Sequence, residues 1–253
     1  MSNPGIAQMV PYGFEKADQE GATAVGLDKR PVGSLAMHAD GSLFAWIEAF
    51  EALAVGKLTM QKDNVTGHTS NMAVQAAAAV GATTISLTNA STAITKNQYA
   101  DGELWINDVD GEGQVWKVLS HPAVGTTATG VFTLHPTDSV RVALTVSSQA
   151  GLRVNPYKDV ELWDADDVDG PALGVMPKAL AIDEQGWMRI TGTGAVLADG
   201  TLVKGNVVVP SNAVDGAVEA AGATTYVLQN LGVVKMGTTD TEYSLVQFNI
   251  PLA

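Results

Sequence analysis

Along much of this chain apolar and polar residues alternate one for one. In residues 186–210, GWMRITGTGAVLADGTLVKGNVVVP, Met188 and Ile190 fall on one side of an extended backbone and Trp187, Arg189 and Thr191 on the other. That period of two predicts a strand. Asp199 and Gly200 tolerate positive φ, and β-compatible residues flank them at 195–197 and 201–203, so a hairpin turn is predicted there. Val207, Val208 and Val209 form the continuous apolar run of a strand covered on both faces, and Pro210 has no N–H to carry a ladder further. Strands are also predicted over residues 83–88, 103–106, 114–119, 131–134, 140–146, 160–163, 226–228, 232–235 and 243–250. Turn sequences such as Asn107-Asp108 and Asp110-Gly111-Glu112-Gly113 separate them. A spacing of about ten residues per strand points to a sandwich or barrel.

Two segments break the alternation. In residues 42–55, Leu43, Trp46, Ile47, Phe50 and Leu53 stand at helical spacing, with Ser42 placed to cap the start and Gly56 the end. A short helix is expected there, with a strand over residues 44–47 as the alternative. Residues 69–80 are alanine-rich and stop at Gly81, which predicts a second short helix. Residues 1–41 hold no period and are interrupted by Pro4, Pro11 and Pro31. They read as an extended N-terminal arm laid on another surface, or as a frayed terminus. Asn155-Pro156-Tyr157 forces an extended or turning dipeptide and marks a boundary. The expected fold is therefore mainly β: sandwich or barrel (tulip-like) domains with one or two short helices and an extended arm. The expected division is an arm at 1–41, a first β-rich domain at 42–156 and a second, barrel-like domain at 157–253. No fixed repeat period runs through the strand–turn–strand units.

Composition narrows the function classes. The 253 residues are 46% hydrophobic and 16% charged, as in a folded chain. A formal charge of −13 without Lys or Arg clusters argues against a nucleic-acid partner and against an anionic membrane surface. With no cysteine, disulfides, thiolate metal sites and a thiol nucleophile are all excluded. The opening MSNPGIAQMVPYGF lacks the basic and apolar regions of a signal peptide, and no apolar run is long enough to span a bilayer. A soluble protein made without export is expected.

Reactive constellations are sparse. With Gly111 or Gly170 set at the sixth position of a calcium loop, the third and fifth positions are filled by Asp108 and Asp110, or by Asp167 and Asp169. The first and twelfth then fall on Ile106 and Lys117, or on Ala165 and Met176, so both frames fail at their ends. Solvated acidic turns account for both, the alternative being another calcium geometry at Asp164, Asp166, Asp167 and Asp169. His38, His68, His121 and His135 are scattered, with no pair at ligand spacing. Gly192-x-Gly194 has Leu197 where a dinucleotide fingerprint needs a third glycine. Paired carboxylates leave no sequence trace, and Trp105, Trp116, Trp163 and Trp187 suit either a β core or a sugar-stacking surface. No catalytic, cofactor-binding or metal residue is assigned, no cofactor is expected, and the chain is not expected to be an enzyme.

Several stretches together resemble a known class. HTSN (68–71), AVQAAAAVGATTISLT (73–88), NQYADGELWINDVDGEGQVWKVLSHPA (97–123), VALTVSSQAGLRVNPYKDV (142–160) and PALGVMPKALAIDEQGWMRITGTGAVLADGTLVKGNVVVPSNAVDGAVE (171–219) resemble virion structural proteins of tailed phages, many of them marine. The likeness runs from about residue 68 onward, and its second half resembles capsid decoration, or cement, proteins with Gly-rich β-barrel or tulip domains. The resemblance implies a non-enzymatic virion protein on the capsid surface, made in the host cytoplasm. It would bind and stabilise the shell of major capsid protein, with a homotrimer favoured. Residues 1–41 and 42–80 are then expected to make most contacts with the shell or with sister subunits. The alternative is a phage tail or receptor-facing carbohydrate-binding module, and a β-rich hydrolase ranks third.

Overall fold

The computed structural model describes residues 31–166, 170–222 and 229–252, together with the backbone pairing of residues 8–9 and 23–24. Among the described residues every regular element is a strand. The chain opens with β1 (Gln8–Met9), β2 (Thr23–Ala24), β3 (Leu35–Met37), β4 (Leu43–Glu48) and β5 (Leu58–Gln61). It continues with β6 (Met72–Val74), β7 (Thr84–Thr88), β8 (Glu103–Asp108), β9 (Val115–Ser120), β10 (Thr129–Leu134) and β11 (Gln149–Arg153). The last third holds β12 (Val160–Leu162), β13 (Ala172–Val175), β14 (Glu184–Arg189), β15 (Thr191–Leu197), β16 (Val207–Pro210), β17 (Val218–Ala220), β18 (Gly232–Met236) and β19 (Tyr243–Asn249). The rest of the arm and the expected strand at 226–228 lie outside the described residues.

Contacts divide the chain into Met1–Lys62 with Pro156–Ala253, and Asp63–Asn155. Expected boundaries at 41/42 and 156/157 therefore stand against observed ones at 62/63 and 155/156. Residues 42–62 belong with the C-terminal part because β4 and β5 pair with β14, β13 and β12.

The discontinuous unit is built from two sheets. One is eight-stranded, in the order β1-β3-β4-β14-β13-β5-β12 with β2 attached to β14; the other is five-stranded, β15-β19-β18-β16-β17. Ala45, Ile47, Val175, Met188 and Ile190 from the first share a core with Val196, Val208, Val234, Val246 and Phe248 from the second. On the opposite face of the first sheet Ala36, Phe44, Trp46 and Trp187 form their own buried cluster. The alternation read in residues 186–191 is thus real: Met188 and Ile190 point one way and Trp187 the other. Residues 186–197 also join the sheets, since β14 lies inside the first and β15 starts the second. Gly192 sits at φ 93°, and a Cβ there would collide with Oγ of Ser42, so only glycine lets β15 pass this close.

Two sequence expectations are corrected here. Residues 42–55 form no helix; the strand alternative holds as β4. The apparent helical spacing comes from a strand buried on both faces, with Phe44 and Trp46 on one side and Ala45 and Ile47 on the other, so polar positions that would reveal a period of two are missing. The hairpin at Asp199-Gly200 is also absent. Gly200 does turn the chain at φ 74°, but β15 pairs with β19 along its whole length. The turn is tied elsewhere: the Gly200 N–H donates to Oδ1 of Asp240, and Oγ of Ser211 donates to Oδ2 of Asp199.

The unit Asp63–Asn155 is a closed barrel of antiparallel strands in the order β10-β7-β6-β11-β8-β9, with β9 and β10 paired to complete it. Val74, Ile85, Leu87, Leu104, Ile106, Trp116, Val118, Phe132, Leu134 and Leu152 fill its interior. Residues 69–80 are not helical. Met72 and Val74 are buried around exposed Ala73, and pairing of β6 with β7 and β11 overrides the helix propensity of the alanines. Residues 140–146, expected as a strand, are tied to residues 78–82 at two points, Leu144 bridging Ala78 and Val140 exchanging backbone bonds with Gly81 and Ala82, without forming a continuous ladder. Between those two points the buried Gln114 side chain bonds the backbone: its Oε1 accepts from the N–H groups of Arg141 (2.8 Å) and Val142 (2.9 Å), and its Nε2 donates to the Val142 carbonyl (3.0 Å).

Candidate functional site

The acidic loops are occupied by their own architecture. Oδ1 of Asp108 accepts from the N–H of Val109, Oδ2 of Asp110 accepts from Oγ1 of Thr145, and the Asp110 carbonyl accepts from Oγ of Ser148. In the second loop Oδ1 of Asp164 accepts from the N–H of Asp166, while Asp167 and Asp169 lie outside the described residues. Among the described residues no three His, Asp or Glu side chains converge to hold a metal ion.

Three histidines are buried. In the barrel, Nδ1 of His68 lies 2.6 Å from the Tyr99 hydroxyl and its Nε2 lies 2.7 Å from the Thr92 carbonyl. A carbonyl only accepts, so Nε2 carries the proton and Nδ1 accepts from the phenol. The Tyr99 N–H in turn donates to Nε2 of His121 at 3.0 Å, which leaves Nδ1 of His121 to donate to the Pro122 carbonyl at 2.8 Å. Burial raises the Tyr99 phenol above its usual range. His135 is bonded at the surface to Thr137, and His38 packs on Phe44 beneath the first sheet. The barrel histidines brace the strand ends and form no pair facing solvent.

The tryptophans separate cleanly. Trp46, Trp116 and Trp163 are buried and donate to Gln185, the Ser139 carbonyl and the Ser211 carbonyl respectively. Trp187 is buried edge-on against Trp46, with ring centroids 5.1 Å apart. Trp116, Trp163 and Trp187 are therefore core residues and present no surface to a sugar. Trp105 alone of the five is on the outside, on β8.

Two outer surfaces remain. In the discontinuous unit, the register of the five-stranded sheet places Val207, Val233, Gln247 and Thr193 in one outward row, with Met236, Leu245 and Ala195 in the next and Tyr243 opposite Leu197. Val233, Met236 and Tyr243 are exposed. The outward positions of β15, β18 and β19 carry no carboxylate, and Lys235 is their single charge, on a chain of net charge −13. Tyr243 is held down by Gly56: a Cβ there would lie 2.7 Å from Cδ1 of the ring. In the barrel, the second surface surrounds Trp105. Sequence reading could not place either one, since an outward valine and an inward valine look alike until register is known. By contrast, β4 and β5, expected to contribute shell contacts, are interior strands whose side chains are almost wholly buried.

Comparison of the chain with protein-family models, with curated proteins and with solved structures gives no match.

Proposed function

We propose that this protein is a non-enzymatic virion structural protein that decorates a phage capsid, binding the shell of major capsid protein and stabilising it, with a trimer as the favoured assembly. The observation that carries this reading is the outer face of β15, β18 and β19, whose outward positions carry no carboxylate. A face that exposes Val207, Val233, Met236 and Tyr243 and carries no carboxylate, on an otherwise acidic protein, is a surface suited to packing on other protein. The face is also rigid: paired strands with a filled core behind them present it without any ordering cost. The all-β architecture and the sequence resemblance described above support the same role.

Co-sedimentation of the purified protein with empty shells tests it. The double variant Val233→Asp/Met236→Asp puts two carboxylates on this face without touching the core. The expected result is loss of sedimentation with shells while the far-ultraviolet circular dichroism and the melting temperature stay unchanged. Full retention of binding by the folded variant contradicts the assignment of this face.

A further inference from the structure

The outer surface of β8, β9 and β11 is ordered in rows by register. Arg153, Glu103 and Lys117 lie side by side, and the next row holds Gly151, Trp105 and Val115. Nζ of Lys117 is 3.1 Å and Nη1 of Arg153 3.5 Å from the two oxygens of the Glu103 carboxylate. On the other side of Trp105, Nδ2 of Asn107 donates to Oδ1 of Asn71 at 2.7 Å, and Oδ1 of Asn107 accepts from the Asn71 N–H at 3.1 Å.

Gly151 shapes what lies between. A Cβ at that position would collide with Nε1 of Trp105 and with the Thr69 carbonyl, so the indole leans across the strand gap and lies against bare backbone. An aromatic side chain covering a glycine on the neighbouring strand protects the ladder, and that alone accounts for one side of the ring. It leaves the rest unexplained: the residue is 37% exposed, its Nε1–H has no hydrogen-bond partner among the described residues, and fixed polar groups stand on both sides of it.

We propose that this surface is a binding site for a neutral pyranose sugar, with Trp105 as the stacking platform. The C–H face of a pyranose packs on an indole, while its equatorial hydroxyls reach donors and acceptors held at the rim of the ring. The Asn71–Asn107 amides and the Glu103 carboxylate, pinned by Lys117 and Arg153, supply such groups already ordered. A nucleobase is a poorer fit, because both nearby cations are engaged with Glu103 and phosphates would approach a chain of net charge −13. Anionic sugars meet the same field, with Asp101 and Asp108 at the two ends of β8. A protein partner would find one Trp and one Val within a rim of charges, too small an apolar patch to hold it. The site stands independently of the capsid reading.

The test is a titration of the full-length, ¹⁵N-labelled protein with methyl glycosides of glucose, galactose, mannose and N-acetylglucosamine, followed at the tryptophan indole N–H resonances. The resonance missing from Trp105→Phe assigns Trp105. At least one of these sugars is expected to shift that resonance saturably and to leave the four core indoles in place. Binding should fall about tenfold or more in Trp105→Ala and be largely kept in Trp105→Phe. Trp105→Leu still covers Gly151, so it should hold the melting temperature yet lose binding, which separates recognition from fold. No shift of the Trp105 resonance with any of the four overturns the proposal. So does a shift that survives in Trp105→Leu, or saturable binding of sialylated glycans alone.

Discussion

Tyr99 is the residue on which the barrel's polar interior turns. Its N–H and its hydroxyl each donate to a buried imidazole nitrogen, and both histidines pass their remaining proton to a backbone carbonyl. Tyr99→Phe removes one of these donors and leaves Nδ1 of His68 buried without a partner. That costs about 1–3 kcal/mol at neutral pH, measurable by urea unfolding. The same residue sets an alkaline limit. Burial raises the phenol above its ordinary value of about 10, so the folded state holds the neutral form where the unfolded chain ionises. The stabilisation is complete below about pH 10 and is lost as pH rises further. Melting temperatures across pH 8–11 should fall at the alkaline end in the native protein and fall less in Tyr99→Phe. Parallel curves for the two contradict the assignment.

At the scale of elements, Gln114 behaves as a piece of strand made from a side chain. It bonds the backbone of residues 141–142 where a ladder was expected. Gln114→Ala should destabilise the barrel by roughly 2–4 kcal/mol, whereas Val142→Ala, on the exposed side of the same stretch, should fall within about 0.5 kcal/mol of the native protein. Equal effects in urea titrations would contradict this role. Such substitutions mark where the sequence could not be read. β7, β8, β9, β10 and β19 were legible because each has one wet and one dry face, as in the alternating burial of Tyr243–Asn249. β4 was ambiguous because both faces are dry. Residues 140–146 look like a strand in composition, but between Val140 and Leu144, which bond the backbone of residues 78–82, the partner is the Gln114 amide, which no periodicity reports. The alanines of residues 75–79 favour helix, and only pairing with distant strands overrides that. Of the two sequence readings of the tryptophans, the β core holds for Trp116, Trp163 and Trp187, while Trp105 is on the surface; which of the four would differ was not legible, because register alone decides it.

On the scale of the whole molecule, the barrel enters and leaves the other unit through chain ends held together, with the Val154 N–H donating to Oδ1 of Asn64 at 3.2 Å. Each unit has its own core, so residues 63–155 expressed alone should fold. The remaining chain, closed by a short Gly-Ser linker, should fold too. Dispersed amide spectra for both pieces are expected, and an unfolded spectrum for either contradicts that independence. Against a net charge of −13, the outward positions of β15, β18 and β19 carry no carboxylate. The central claim, that this face and this fold serve assembly on a capsid, is tested most directly by the mass of the protein from light scattering, alone and mixed with empty shells. The account predicts a stable trimer that joins the shell peak. A monomer that ignores shells at every protein concentration contradicts it.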